Sequence, residues 1–514
     1  MLPLADLGIP AMVRAAAAGF GDKTCFVAPE RSLSFRQFGQ AVADTAERLG
    51  GLGLRAGDRV AILDVNSLPF MLAMCAAGVM GAVVVPLNYR QRTPEHRFQV
   101  VDSGARLLLA GERYAAEAAA LAPDLALGWQ PIASPARQPG IVADDRRWAF
   151  ADLPGTTPFA ICYTSGTTGR PKGAVIDQKC AHMRALKLLL ELRLHPDDVL
   201  HFTTPMFHIS CLVMSLMGLM RGATQAVLPQ FELEATLSLL RRGQVTFMNT
   251  VPTMLSMILD RPGFTPADFG RLRTIMYTAA PISLPLLRRL LEVYRGDLVQ
   301  FLGQTEDLPQ TVLTPEDHRR ALAGGDARLG SVGRPCMGVE LQILDGAGHP
   351  LPRGSVGEIA TRGGTAMSGY WGQKEETART LSEGWVHSGD LGVQDADGYV
   401  TLAGRKKHMI IRGGENVYPA EVEAILMQAP GVRDGVILGL PDERWGETIV
   451  AVVAATADRR DGDGVIAHCR RHLASYKCPE RVIYRDALPY NAAGKILRHV
   501  LLAELLSAGP AASG

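Results

Sequence analysis

Tyr163-Thr164-Ser165-Gly166-Thr167-Thr168-Gly169-Arg170-Pro171-Lys172-Gly173 is the stretch around which this chain is organised. The apolar run Pro158-Phe159-Ala160-Ile161-Cys162 before it and Ala174-Val175-Ile176 after it predict a buried strand on each side. Between them, Gly166, Gly169 and Gly173 allow a tight path with backbone N–H groups turned outward, and Thr164, Ser165, Thr167 and Thr168 add hydroxyl donors. Lys172 supplies a mobile positive charge. A concavity of N–H, O–H and ammonium groups is suited to a polyphosphate. The Walker A pattern G-x-x-x-x-G-K-[ST] does not fit, because Pro171 precedes the lysine and Gly173 follows it. A plain turn is the alternative, and so many donors in one short loop argue against it.

Composition bounds what surrounds this loop. A chain of 514 residues is too long for one ordinary core, so two or more domains are expected. Lys plus Arg number 53 against 52 for Asp plus Glu, which leaves no global field to draw in nucleic acid or an anionic membrane. The cysteines form no C-x-x-C pair, so buried, reduced thiols are expected. Asp6, Pro10 and Arg14 interrupt any signal-peptide core, and the expected location is the cytoplasm. The uncharged stretch from Val65 to Tyr89 is punctuated by Pro69, Gly78, Gly81 and Pro86 and reads as buried core, with no membrane span.

Taken in order, the chain alternates helical and extended patterns: a helix from Ser34 to Leu49, a strand over Asp58–Leu63, a strand over Val83–Leu87, another over Arg106–Leu109, and a helical Ala115–Leu127. This predicts an α/β protein with a largely parallel sheet. Pro131 to Pro158 reads as a surface connection, Lys179–Leu194 as an amphipathic helix and Val199–Phe202 as a strand. That strand ends in Thr203-Thr204-Pro205-Met206-Phe207-His208, and ligands gather past strand ends in such sheets. By itself His208 is as readily structural as functional. Arg273–Tyr277 leads to Thr278-Ala279-Ala280-Pro281, whose small side chains permit a flat ring to approach the backbone. Leu298–Leu302 enters Gly303-Gln304-Thr305-Glu306, where a carboxylate beside a hydroxyl suits Mg²⁺ shared with phosphate oxygens.

These motifs resemble the adenylate-forming superfamily, which includes acyl-CoA synthetases, the adenylation domains of peptide synthetases and firefly luciferase. The resemblance runs from about Phe20 to Val500 and is nearest to the acyl-CoA synthetases. It implies a large N-terminal domain of mainly parallel sheets flanked by helices with a β-barrel-like subdomain (residues 1–404), a hinge at 405–407, and a small, mobile α+β C-terminal domain (408–514). Thr164, Ser165, Gly166, Thr167, Thr168, Gly169 and Lys172 would meet the phosphates of ATP, Thr305 the α-phosphate, and Glu306 with Thr164 the Mg²⁺. Ala279, Ala280 and Pro281 would flank adenine, and Gly303 and Gln304 would also contact the nucleotide. Asp390, in Trp385-Val386-His387-Ser388-Gly389-Asp390, would accept both ribose hydroxyls, and Arg405 would touch ribose and phosphate. His208 would lie at the mouth of the acyl pocket, Lys407 at the hinge, and Gly413 and Gly414 on the path of CoA. Lys495, in Pro489-Tyr490-Asn491-Ala492-Ala493-Gly494-Lys495-Ile496-Leu497-Arg498, would neutralise the transition state of adenylation. The G-E-x-x-x-R-G block at Gly357–Gly363 and Gly369-Tyr370-Trp371 read as structural.

The implied reaction activates a carboxylic acid to an acyl-adenylate and then transfers it to CoA. Phe207, His208, Met248, Asn249, Met276 and Tyr277 predict a mostly apolar pocket for a hydrophobic monocarboxylic acid, fatty, aromatic or polycyclic. Two positions depart from the pattern. Leu302 stands where an aromatic is usual, which bears on adenine stacking, and His408 stands where an aspartate is usual, which bears on domain rotation. His408 keeps open an enzyme that passes its adenylate to a carrier protein or a second enzyme. An inactive nucleotide-binding relative and a luciferase-type oxidase share the motifs. A homodimer is one assembly the resemblance allows.

Overall fold

The structure is a computed structural model that describes residues 8–29, 31–132, 150–164, 171–322, 326–413, 415–456, 460–490 and 496–507. Its N-terminal part holds two large sheets. In the nine-stranded sheet, Asp297–Leu302, Thr274–Tyr277, Phe247–Thr250, Val199–Phe202, Thr224–Ala226 and Thr24–Val27 run parallel in that spatial order. Antiparallel strands close its edges: Ser32–Ser34 on one side, Thr311–Leu313 and Arg334–Pro335 on the other. The seven-stranded sheet places Pro158–Thr164, Val83–Pro86, Arg59–Leu63, Ala105–Ala110 and Trp129–Pro131 parallel, with Lys172–Asp177 and Gly369–Tyr370 added antiparallel.

The two sheets share one core. Phe159, Ile62 and Val84 from one sheet and Leu200, Phe247 and Met276 from the other belong to a single apolar cluster with helices Leu68–Met80 and Ile209–Arg221. Those two helices are apolar on nearly every face because they lie in this layer, buried from both sides. The uncharged Val65–Tyr89 stretch is thus a 13-residue helix followed by a strand, and among the described residues no helix is long and apolar enough to cross a membrane. Helix Phe35–Gly51 begins where Ser34 and Gln37 cap each other: the Gln37 N–H donates to Ser34 Oγ at 3.2 Å, and the Ser34 N–H to Gln37 Oε1 at 3.0 Å. The helix expected to reach Leu127 stops at Leu121 and tightens into a 3₁₀ turn over Ala122–Asp124, since Pro123 has no N–H to continue the ladder.

An antiparallel half-barrel follows, built from Glu340–Leu344, Val356–Arg362, Leu381–Ser382, Trp385–Gln394 and Val400–Arg405. After a 3₁₀ turn at Lys406–His408 the chain enters a separate five-stranded sheet whose long central hairpin is Val432–Asp442 with Gly446–Ala455. Helices Pro419–Leu426, Gly462–His472 and Arg498–Ser507 accompany it. The chain is therefore an α/β protein with a large N-terminal part, a half-barrel and a small α+β C-terminal part, as its motifs implied. All eight cysteines are free and buried.

Candidate active site

The parallel strands of the nine-stranded sheet end together, so Thr203–His208, Val251, Thr278–Pro281 and Gly303–Glu306 all leave from one end of it. Ala279 adopts φ 72°, a left-handed conformation that costs an alanine about 1–2 kcal/mol and is held by its surroundings. Gly303 has no room for a side chain, because a Cβ there would come within 2.8 Å of Leu308 Cβ. Leu302 packs toward the half-barrel cluster of Val332, Ile343, Ile359 and Val400.

The phosphate-loop hairpin is shorter than its sequence suggests. Thr164 pairs with Lys172 and Tyr163 with Gly173, so both ends of the quoted stretch are strand. Lys172 is accordingly no mobile charge on a loop. It is 7% exposed, ion-paired to Glu376 of helix Lys374–Thr380, and lies 5.4 Å from the Tyr370 ring centroid. Hydrogen bonding to Lys172 is the chief reason the Glu376 carboxyl sits below its usual range. Tyr370 donates its hydroxyl to Glu306 Oε1 at 2.7 Å. Burial, then the nearby Glu306 charge, pushes that hydroxyl's pKa up, so it remains a donor. Lys172, Tyr370 and Glu306 thus form one linked group. Thr164 Oγ1 reaches the Lys172 carbonyl at 3.4 Å, a long contact that leaves it only weakly held.

A second group meets the first through the same loop. Gln304 Nε2 donates to Asp390 Oδ2 at 2.5 Å and to the Ser388 carbonyl at 2.8 Å. Arg405 Nε lies 2.5 Å from Asp390 Oδ1, across the strand pairing of Asp390 with Arg405. The block read as structural also reaches this point: Glu358 accepts the Gly389 N–H at 3.0 Å and the Lys406 ammonium at 3.0 Å. Gln304, Thr305, Glu306, Lys172, Asp390 and Arg405 are therefore brought together.

The predicted pocket residues divide between two faces. Met276 belongs to the inter-sheet core, and Asn249, its register partner on the neighbouring strand, accepts the Thr204 hydroxyl at 2.6 Å and donates to Met276 Sδ. The Phe207 ring lies tilted, 4.4 Å from the His208 ring, and meets Tyr89 edge-on at 5.4 Å. Met248 and Tyr277 lie on the opposite side, in the cluster with Leu255, Leu287 and Leu290. The period of two along a strand sends neighbours to opposite faces, so those two residues do not line a pocket with Met276. Tyr277 instead donates to His318 Nε2 at 2.8 Å, while His318 Nδ1–H donates to the Thr314 carbonyl at 2.7 Å.

Three features of the site were not drawn from the sequence. Arg184 is fully buried on helix Gln178–Leu192 and binds backbone carbonyls of Thr305, Glu306 and Thr365. Its signal was an arginine at i+3 from Ala181 and i−4 from Leu188, on the apolar face of that helix. Glu376 carries no local pattern. Trp445, 39% exposed, lies beside Gly413, whose N–H donates to the Trp445 carbonyl at 2.7 Å. Gly413 has φ 59°, and Arg412 and Arg444 stand 5.6 Å and 4.7 Å from the Trp445 ring. In the C-terminal motif, Arg498 Nη2 donates to both oxygens of Glu423 at 2.7 Å and Nη1 to the Ile437 carbonyl at 2.8 Å, which ties the last helix to strand Val432–Asp442. Ser165, Gly166, Thr167, Thr168, Gly169, Gly414 and Lys495 lie outside the described residues.

Comparison with known proteins agrees with this geometry. Residues 13–371 match the family described as AMP-binding enzyme, and residues 421–495 its C-terminal domain. A feruloyl-CoA synthase of an Amycolatopsis species is 38% identical over 91% of this chain and 93% of its own length. An indoleacetate–CoA ligase of Aromatoleum aromaticum is 35% identical over 92% of this chain and 93% of its own. Among solved structures, ATP-bound MatB from Rhodopseudomonas palustris superposes with a TM-score of 0.88 at 28% identity, covering 97% of this chain and 99% of that one. The chain belongs to the AMP-binding enzymes and, within them, to the AMP-forming acid–CoA ligases.

Proposed function

We propose that this ligase activates a hydrophobic monocarboxylic acid, aromatic before fatty, with ATP and Mg²⁺, and passes the acyl group to CoA. The observation that carries the reaction is that the segment Gln304–Glu306 is linked at one end through Asp390 to Arg405 and at the other through Tyr370 to Lys172. The acid class is supported by the ring contacts of Phe207 with Tyr89 and His208 just past the strand that ends at Phe202, and by relatives that act on ferulate and indoleacetate.

The mechanism follows from charge. The acid's carboxylate attacks the α-phosphorus of ATP, and pyrophosphate leaves as the acyl-adenylate forms. Thr305 and Lys172 bind phosphate oxygens, Asp390 accepts from the ribose, and Lys495 approaches from the C-terminal domain to meet the charge that builds on phosphorus. Glu306 and Thr164 offer only oxygen donors, a set that fits Mg²⁺, and Glu306 is already oriented by Tyr370. Mg²⁺ bound there would supply positive charge against the triphosphate. The C-terminal domain then turns about Lys407 and removes Lys495. The CoA thiol loses its proton, its sulfur bonds the acyl carbon, and the bond to AMP breaks. Gly413, Gly414 and the exposed Trp445 face, flanked by two arginines, form the proposed path for CoA.

The test is acid-dependent pyrophosphate release over a panel of aromatic and fatty acids, with products identified by mass, with and without CoA. Acyl-CoA together with AMP is expected, with aromatic acids turned over best. Acyl-AMP that accumulates despite CoA would transfer the assignment to a carrier or second enzyme as acceptor. Lys495→Ala is expected to abolish adenylation and to spare thioester formation from supplied acyl-AMP. Equal loss of both half-reactions would overturn its role.

A further inference from the structure

A buried cation behind the Gln304–Glu306 loop has no assigned part in this reaction. Arg184 is 0% exposed. Its Nε donates to the Thr365 carbonyl at 2.8 Å, Nη1 to the Thr305 carbonyl at 3.1 Å, and Nη2 to the Glu306 carbonyl at 3.1 Å. Among the described residues no carboxylate pairs with it at ion-pair distance. A buried guanidinium that meets only neutral carbonyls is costly to keep, and a core position could be filled by an apolar side chain of similar length. The arrangement therefore answers a need that packing alone does not explain.

We propose that Arg184 is the positioning residue of adenylation: it fixes the backbone at Thr305 and Glu306, and through it the phosphate and Mg²⁺ contacts of those two side chains. The proposal rests on the roles given above to Thr305 and Glu306. Helix Gln178–Leu192 makes this transmission direct. It starts immediately after strand Lys172–Asp177, with the Asp177 carboxylate accepting the Cys180 N–H at 2.7 Å. The same rigid unit thus carries Lys172 on its strand and Arg184 on its helix. One hold on the Thr305–Glu306 loop comes from Arg184 behind it. Another comes from the segment after Thr365, where the Met367 N–H donates to the same Glu306 carbonyl at 2.7 Å and Tyr370 donates to the Glu306 carboxylate. The Glu306 carbonyl thus accepts from both Arg184 and Met367, and Arg184 ties that segment in as well through the Thr365 carbonyl. Only a planar fork can serve three carbonyls at once, and an ammonium in the same place would satisfy fewer and from a different point.

The experiment compares Arg184→Lys, Arg184→Gln and Glu306→Gln with the parent enzyme. ATP–pyrophosphate exchange and its Mg²⁺ dependence are measured beside thioester formation from supplied acyl-AMP. The expected result for both Arg184 variants is a fall of roughly ten- to a hundredfold in kcat for exchange, milder for lysine than for glutamine, since a small displacement of reacting groups costs about that much. The Mg²⁺ concentration for half-maximal rate should rise, and the thioester step should keep its parental rate. If both variants lose the two half-reactions in equal proportion, or yield no folded protein, Arg184 is a core support and the proposal is overturned. If Glu306→Gln loses exchange while the Arg184 variants keep it, the proposal falls alone. If Glu306→Gln itself exchanges normally, the role given to Glu306 falls and takes the proposal with it.

Discussion

Replacing Glu376 by glutamine should make the enzyme bind MgATP more tightly. Lys172 is buried at 7% exposure and ion-paired to Glu376, whose side chain is 24% exposed. If Lys172 serves the phosphates, it must leave this carboxylate, so Glu376 competes with the nucleotide for Lys172. A hydrogen bond to a charged partner is worth about 1.5–3 kcal/mol. Glu376 is also held by Arg379 at 2.5 Å, and that contact remains after Lys172 departs, so the lower end applies. Removing about 1.4 kcal/mol of competition corresponds to a roughly tenfold lower Kd. Titration calorimetry with MgATP on Glu376→Gln reads this directly, and AMP, which lacks the outer phosphates, serves as the control with unchanged affinity. A Kd for MgATP that stays the same or rises, with AMP binding unaltered, would refute the reasoning. An equal gain for AMP would place Lys172 near the α-phosphate instead.

Three further outcomes follow from particular groups. Ala279→Gly should raise stability by about 0.5–1 kcal/mol, since relief of left-handed strain exceeds the added backbone entropy of glycine, and a thermal denaturation series reads the shift. The buried His318 imidazole has its pKa lowered to about 4, chiefly by burial, against an ordinary 6.5. Its contribution is complete above pH 6.5 and is lost as the pH falls toward 4, because the unfolded chain takes up the proton first. Between pH 7 and pH 5 it accounts for about 2 kcal/mol of lost stability. Urea midpoints at the two pH values should show a smaller difference in His318→Gln, and an unchanged difference would contradict this. Trp445→Ala should raise KM for CoA about tenfold, the value of one stacked base, with ATP–pyrophosphate exchange untouched. An unaltered KM for CoA would remove Trp445 from the thiol's path.

What the sequence discloses depends on how far apart the partners stand in the chain. Strands such as Val199–Phe202 and the capped start of helix Phe35–Gly51 are written in a few consecutive residues, and they appear where periodicity and capping place them. The faces of those strands are less legible. Phe247–Thr250 and Thr274–Tyr277 are buried on both sides, so their apolar runs do not alternate and nothing local tells Met276 from Tyr277. Only the placement of helices on each face separates them.

The links within the site are less legible still. Lys172 and Glu376 are 204 positions apart, Gln304 and Asp390 are 86 apart, and Glu306 and Tyr370 are 64 apart. Motifs could mark Lys172, Glu306 and Asp390 one by one, because each lies in a local setting of glycines and hydroxyls. They could not mark Glu376 or the backbone contacts of Arg184, which exist only once the hairpin, the half-barrel and the sheet have been packed together. The residues proposed to touch a nucleotide are thus the ones a motif can carry, whereas the residues that hold them in place are selected by topology. A variant series confined to motif positions would test the first set and leave the second unexamined, which is why Arg184 and Glu376 are the more informative positions to change.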